Sequence, residues 1–363
     1  MVFQWYLFVL VAAVAIFAHY AGQTHTIEVH GRTESRYNWL PVLLITVPLI
    51  ILAGTRGDIG DTPAYRIAFR SIPSSLSEVI ETRDKDAGFW FFSYLLKLII
   101  GNNDVVYFTV IAVICLLCVI WVIKKHSCNF AMSIFLFIAS SDYVQWNYNG
   151  MRQFIAVSVI FAATNLLLSK KYLKYYAVIL AMSTIHASAL IMIPVSLFVL
   201  GKPWNIRTVL FTAASLVAIN FSGALRDIIA EFMSETQYSG EVNQFLNTEG
   251  TNILRVLVFC IPPLFALGFR RYLLAAKTPI LDLSSNMSII SMGMYIISSV
   301  TSGMFIGRIP IYFSLYNYIL LPWLVENVFE KKSQKLVYGC IILCYLAFYW
   351  YQMTVAWDFS GFI

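Results

Sequence analysis

A chain of 363 residues in which 59% of side chains are hydrophobic and only 12% charged, with mean hydropathy +0.73, departs far from the roughly 25% charged content of a soluble domain. Those figures exclude a water-soluble globular enzyme, which could not hide that much apolar surface. The net charge of +6 does not indicate nucleic acid either, because Lys and Arg cluster in short runs between apolar segments, as in the cytoplasmic loops of membrane proteins.

Apolar runs long enough to span a bilayer fall near residues 3–20, 39–54, 105–123, 129–145 and 153–168, then near 208–222, 253–268, 287–305, 309–325 and 336–354. They predict an all-α, polytopic integral membrane helical bundle with about ten full crossings plus short re-entrant or broken helices. A single transmembrane domain over residues 1–363 is expected. The first run lacks a basic leader and a small-residue cleavage site, so it reads as a retained helix. Residues 88–100 are short for a span and are expected to dip in from the outer side and return. Residues 172–200 are long but polar at Ser183-Thr184-Ile185-His186, which predicts a hairpin of two short helices turning near His186. Five of the six cysteines lie inside apolar runs, where packing rather than disulfide bonding is their role.

Orientation follows from the basic runs. Lys124-Lys125, Lys170-Lys171-Lys174, Arg270-Arg271-Lys277 and Lys331-Lys332-Lys335 are expected on the cytoplasmic side. Both chain ends then lie outside, with the extracytoplasmic loops 55–104 and 223–252 and the shorter ones at 142–152 and 306–308. This partition puts eight Arg and two Lys outside against five Arg and ten Lys inside. Cytoplasmic retention alone does not predict that split. Arg offers a planar fork of donors suited to phosphate oxygens, whereas Lys is a hydrated point charge.

Four places could carry chemistry. Arg56-Gly57-Asp58-Ile59-Gly60-Asp61, followed by Tyr65, joins glycines that allow tight turns to a cation for an anion and to carboxylates that accept protons. Asn147-Tyr148-Asn149-Gly150-Met151-Arg152-Gln153 runs an amide- and aromatic-rich loop into an apolar helix, and an Arg in the first turn of a span is costly unless paired or functional. His186 is the one deeply placed histidine, able to donate to a substrate or take its proton. Arg308 lies at the outer junction of two apolar helices, and Arg255 enters another from the same side. A solvated turn, an aromatic belt, a helix–helix hydrogen bond and snorkelling are the respective structural explanations. No P-loop, HExxH zinc motif or GxSxG elbow occurs.

The order of Arg56-Gly57-Asp58, Gly60-Asp61 and Tyr65, then Asp86-Ala87-Gly88-Phe89, then Asn149-Gly150-Met151-Arg152-Gln153, then His186-Ala187-Ser188-Ala189, then Arg308 before Tyr312-Phe313, resembles the EpsG family. That family is grouped with the Wzy-type O-antigen and exopolysaccharide polymerases. Asp86 stands where the family pattern has Glu, which keeps the carboxylate but shortens its reach. The resemblance implies a multi-pass protein of the bacterial inner membrane with its active site facing the periplasm or cell exterior. Its substrates would be polyprenyl-diphosphate-linked oligosaccharides embedded in membrane lipid. A chain-length regulator and a flippase of the same pathway are the implied partners, with no nucleic acid, cofactor or metal.

On this basis Arg152 and Arg308, assisted by Arg56 or Arg255, are expected to hold the diphosphate while Asp61 or His186 accepts a proton. Tyr65, Asp86, Tyr148, Asn149 and Gln153 complete the expected substrate-binding set. A lipid-linked oligosaccharide flippase or other transporter, an O-antigen ligase and a membrane acyltransferase are the alternative functions.

Overall fold

Short polar punctuation cuts the apolar chain into helices. The computed structural model describes residues 2–29, 32–82, 85–235 and 239–357, so Arg83, one of the eight outer arginines, lies outside the described residues. Two compact units are formed, Met1–Ile193 with Val337–Ile363, and Pro194–Leu336.

In the first unit α1 (Val2–Tyr20) leads through an antiparallel hairpin, β1 (Thr24–Val29) and β2 (Arg32–Tyr37), to α2 (Trp39–Gly54). Next come α3 (Thr62–Arg70), α4 (Leu76–Thr82), α5 (Ala87–Ile100) and α6 (Asp104–His126). They are followed by α7 (Phe130–Ala139), α8 (Asp142–Tyr148), α9 (Met151–Ala162), α10 (Thr164–Leu168) and α11 (Tyr172–Ser183). A 3₁₀ turn, Ala187–Ile191, precedes α12 (Met192–Phe198).

The axis of this unit is α6. Asn103 caps its start, the side chain accepting from the Val106 amide at 3.1 Å, and Lys124, Lys125 and His126 occupy the last turn, where the helix dipole favours cations. Its 23 residues extend about 35 Å at 1.5 Å per residue. It packs beside α2 and α9, with Ile45, Leu49, Leu116, Val119, Ile123 and Phe154 fully buried. In lipid the alternative to burial is itself apolar, so close packing and hydrogen bonds hold such helices. At one end of α6, Asp104 accepts from Arg66 and Arg70 of α3. At the other, Lys124 lies 4.6 Å from the Trp39 ring centroid and Arg36 of the hairpin donates to the Ser127 carbonyl.

The second unit holds α13 (Ile206–Ala218), α14 (Ser222–Ser234), α15 (Val242–Asn247), α16 (Ile253–Gly268), α17 (Arg270–Ala276), α18 (Pro279–Val300), α19 (Ile311–Ser314) and α20 (Asn317–Val328). At its centre α18 packs against α13, α16, α19 and α20. Its most apolar stretch is 78% buried against 11% for α13 and α14, whose side chains point outward. Finally α21 (Lys331–Tyr351), which from Val337 onward belongs to the first unit, ends in a π-helical turn, Gln352–Ala356.

Helices dominate as expected, 79% of the chain, and three points differ from or go beyond the expectation. Among the described residues five helices are long and apolar enough to cross a membrane, or six if Ile253–Gly268 and Arg270–Ala276, bent by 69°, form one span. The expected count of about ten crossings, based on run length, is not confirmed, since several apolar runs form helices of 10–17 residues. One of them, expected at 129–145, breaks at Ser141, whose φ is 67°; α7 and α8 together run from Tyr37, beside Phe130, to the Leu52 carbonyl, bonded by Tyr148. Second, the strands over 24–37 were not anticipated, since their polar, β-branched sequence carries no apolar periodicity. Third, residues 88–100 do not dip and return. They form the continuous α5, tied alongside α3: Asp86 at its start meets Arg152 and Tyr65's neighbourhood, and Lys97 donates to the Arg70 and Ile72 carbonyls at 2.6 and 2.7 Å. The expected break near His186 is present, between α11 and the 3₁₀ turn.

Candidate functional site

Nine of the eleven sequence-derived site residues belong to the first unit, and packing gathers them around Arg152. This residue enters α9 at its second position, where the helix begins at Gly150. Its Nη1 donates to Asp86 Oδ2 at 2.7 Å and its Nε to the Tyr65 hydroxyl at 3.3 Å. The guanidinium also lies 5.9 Å from the ring centroids of both Tyr65 and Phe89. Asp86 is 7% exposed, while a third of the Arg152 side chain reaches the surface, so the carboxylate orients the cation from within.

Local backbone chemistry assembles this arrangement. Gly60 has φ 57°, and a Cβ there would lie 1.8 Å from the Asn149 side-chain oxygen, so only glycine permits the approach. The amide of Asp61 donates both to that oxygen, at 3.2 Å, and to the Tyr148 carbonyl, at 3.1 Å. The first and second motifs therefore dock on one another. Similarly the Gly88 amide donates to the Thr184 carbonyl at 2.9 Å, bringing the start of α5 to the end of α11 and next to His186. His186 Nδ1 lies 2.7 Å from Ser188 Oγ, which accepts from Gln153 Nε2 at 3.4 Å.

The carboxylates divide by commitment. Asp86 holds Arg152; Asp58 and Asp104 hold Arg66, and Asp104 also holds Arg70 at 2.9 Å. Burial pulls the Arg66 guanidinium down, but its hydrogen bonds to Asp104 and Asp58 outweigh that and raise it above the ordinary value. The Asp61 side chain makes no hydrogen bond or ion pair with a described residue and is half-buried.

Arg56 is placed differently from an open anion anchor. It is 7% exposed, 4.2 Å from the Phe108 ring centroid and 5.4 Å from that of Tyr148, and it donates to the Asn147 carbonyl and to Met151 Sδ. Its cation holds the α8–α9 joint against the end of α2. Tyr148, 8% exposed, donates to the Leu52 carbonyl at 3.0 Å and presents little ring to a sugar.

The other two residues lie in the second unit. Arg255, 6% exposed, sits 5.2 and 5.7 Å from the ring centroids of Phe259 and Tyr295. Arg308 is half-buried in the turn Ile306–Arg308. Both occupy the same end of that unit, because Thr251 donates to the Ser298 carbonyl at 3.0 Å and Gly303 to the Glu249 carbonyl at 2.8 Å. Arg226 joins them there, donating to the Thr248 carbonyl at 2.6 Å. Arg226 and Asp104 lie outside the motifs read from the sequence; Asp104, at the start of the most apolar span, carried the clearer overlooked signal.

Five or six helices long and apolar enough to cross a membrane among the described residues define the class, a helical membrane protein. The family model for EpsG matches residues 39–362, nearly the whole chain, and the chain belongs to the EpsG family, a Wzy-type polymerase family. Neither a curated protein nor a solved structure matches it. Membership and the apolar helices point to a membrane protein of polysaccharide biosynthesis with lipid-linked oligosaccharide substrates.

Proposed function

We propose that the protein is a polymerase that joins polyprenyl-diphosphate-linked oligosaccharide repeats on the extracytoplasmic face of the bacterial inner membrane. The observation that carries this is Arg152, fixed by Asp86 and Tyr65 yet one-third exposed, at the end of the first unit opposite Lys124 and Lys125. Basic runs stay in the cytoplasm, so the opposite end faces outward.

In the proposed reaction a hydroxyl of one lipid-linked repeat attacks the anomeric carbon of the growing chain. The new glycosidic C–O bond forms as the bond to the diphosphate breaks, and the diphosphate leaves with the bonding electrons. Arg152 stabilises the charge that gathers on the departing group; the bond already activated by diphosphate needs no nucleotide. The hydroxyl proton passes to Asp61, whose carboxylate is uncommitted among the described residues, or to His186. Asp86 keeps the guanidinium aimed rather than acting as the base, and Arg56 braces the backbone beneath it.

Removing a preorganised charge contact typically slows a reaction about 10²- to 10³-fold. Arg152→Ala should therefore elute as folded protein in detergent but fail to lengthen lipid-linked repeats, and Arg152→Lys should recover only part of the rate. Wild-type polymer lengths from Arg152→Ala would overturn the assignment. Movement of repeats across vesicles without new bonds would indicate a flippase, and transfer to lipid A core a ligase.

A further inference from the structure

Where α7 gives way to α8, an aspartate lies fully enclosed. Asp142 is 0% exposed and follows the left-handed Ser141. An acid so enclosed is costly unless hydrogen-bonded, yet the motifs that carry the family resemblance do not include it. Its Oδ1 accepts a hydrogen bond at 3.3 Å from Nε1 of Trp146, one turn further along α8. That indole is 1% exposed, and its ring edge presses on Gly150: a Cβ there would lie 2.8 Å from Cε3 and 3.0 Å from Cζ3. Gly150, with φ −156° and ψ 36°, is the joint from which α9 departs, and Arg152 is the second residue of α9. The rest of α8 is pinned to α2, since the Tyr143 hydroxyl donates to the Leu49 carbonyl at 2.6 Å and that of Tyr148 to Leu52. The Trp146 ring edge thus borders the joint from which α9 leaves.

We propose that Asp142 is a positioning residue: by orienting the Trp146 indole against Gly150, it sets the aim of the Arg152 guanidinium. The proposal rests on Arg152 contacting the substrate diphosphate. A carboxylate oxygen locks the indole N–H, the ring wedges the joint, and the joint directs the first turn of α9 toward Asp86 and Tyr65. Asparagine at 142 would still offer an acceptor oxygen, whereas alanine would leave the indole unheld.

The test uses the full chain purified in detergent, with lipid-linked repeats that accumulate in cells lacking it as substrate and farnesyl diphosphate as the binding probe. Misplacing a catalytic group by about 1 Å can cost on the order of 10²-fold, so Asp142→Ala should lower kcat about 10- to 100-fold with KM little changed, while Asp142→Asn stays close to wild type. Asp142→Ala should also weaken farnesyl diphosphate, and in an Arg152→Ala background the same change should have no further effect, as expected for residues acting through one contact. A wild-type kcat for Asp142→Ala alongside an inactive Arg152→Ala, an equal loss in both backgrounds, or Asp142→Asn as impaired as Asp142→Ala would each overturn the proposal. If Asp142→Ala does not fold, Trp146→Phe, which keeps a ring but no N–H, should lower kcat, and a wild-type rate there overturns it as well. Wild-type elongation by Arg152→Ala would remove the diphosphate assignment and this proposal together.

Discussion

At the scale of single residues, the pairing of Arg152 with Asp86 decides how the site works. A guanidinium with a carboxylate at 2.7 Å is held in one orientation, and a partly exposed pair of this kind contributes little to stability while fixing geometry. Asp86→Ala should therefore cost elongation about tenfold or more while the melting temperature in detergent changes little. Asp86→Glu, which restores the family's residue, should retain activity, because a carboxylate is kept and α5 is anchored independently by Gly88 on Thr184. Loss of activity in Asp86→Glu would show that the shorter reach is required here. Arg152, Asp86, Gln153 and His186 were legible in the sequence because charge and amide groups stand out against apolar helices. Asp142 was not, since its significance depends on a tryptophan ring meeting a glycine α-carbon, which no spacing encodes.

At the scale of elements, α3 matters out of proportion to its nine residues. It carries Tyr65 toward Arg152 and is tethered to the start of α6 by Arg66 and Arg70 on Asp104. Breaking a network that is only partly buried costs about 1–2 kcal/mol, between the exposed and buried limits. Asp104→Ala should lower the melting temperature modestly and raise KM for lipid-linked repeats, as α3 loosens; an unchanged KM would show that α5 alone holds α3 in place. The docking of glycine-containing turns on Asn149 and Thr184 gives the dispersed motifs one physical meaning, adjacency around α9. Their order was readable along the chain, while the β-hairpin and the lie of α5 were not, because both depend on what the bundle offers as neighbours rather than on local periodicity.

At the scale of the whole molecule, sidedness is the property that function needs. The Arg152 end of α9 and the Lys170-Lys171 run after α10 are separated by the 18-residue span Met151–Leu168, about 27 Å at the helical rise. Cysteine at position 61 should accordingly react with an impermeant maleimide added outside intact cells, and cysteine at position 171 only after the membrane is opened. The reverse pattern would turn the proposed active face toward the cytoplasm. Charge runs are the sequence's argument for this sidedness, whereas the number of crossings is not legible from hydropathy, which cannot distinguish an unbroken span from two half-length helices.

The divided segment of α7 and α8 bears on what holds a short stretch in place. Ten apolar residues from Phe130 to Ala139 fall well short of the roughly 20 that hold a helix across a bilayer unaided, and the tyrosines of α8 find their acceptors on α2. The acceptors are main-chain carbonyls of Leu49 and Leu52, more than ninety residues earlier in the chain, so the place of this segment is supplied by the backbone of α2 rather than by its own length, and substitution of either leucine side chain leaves the tether in place.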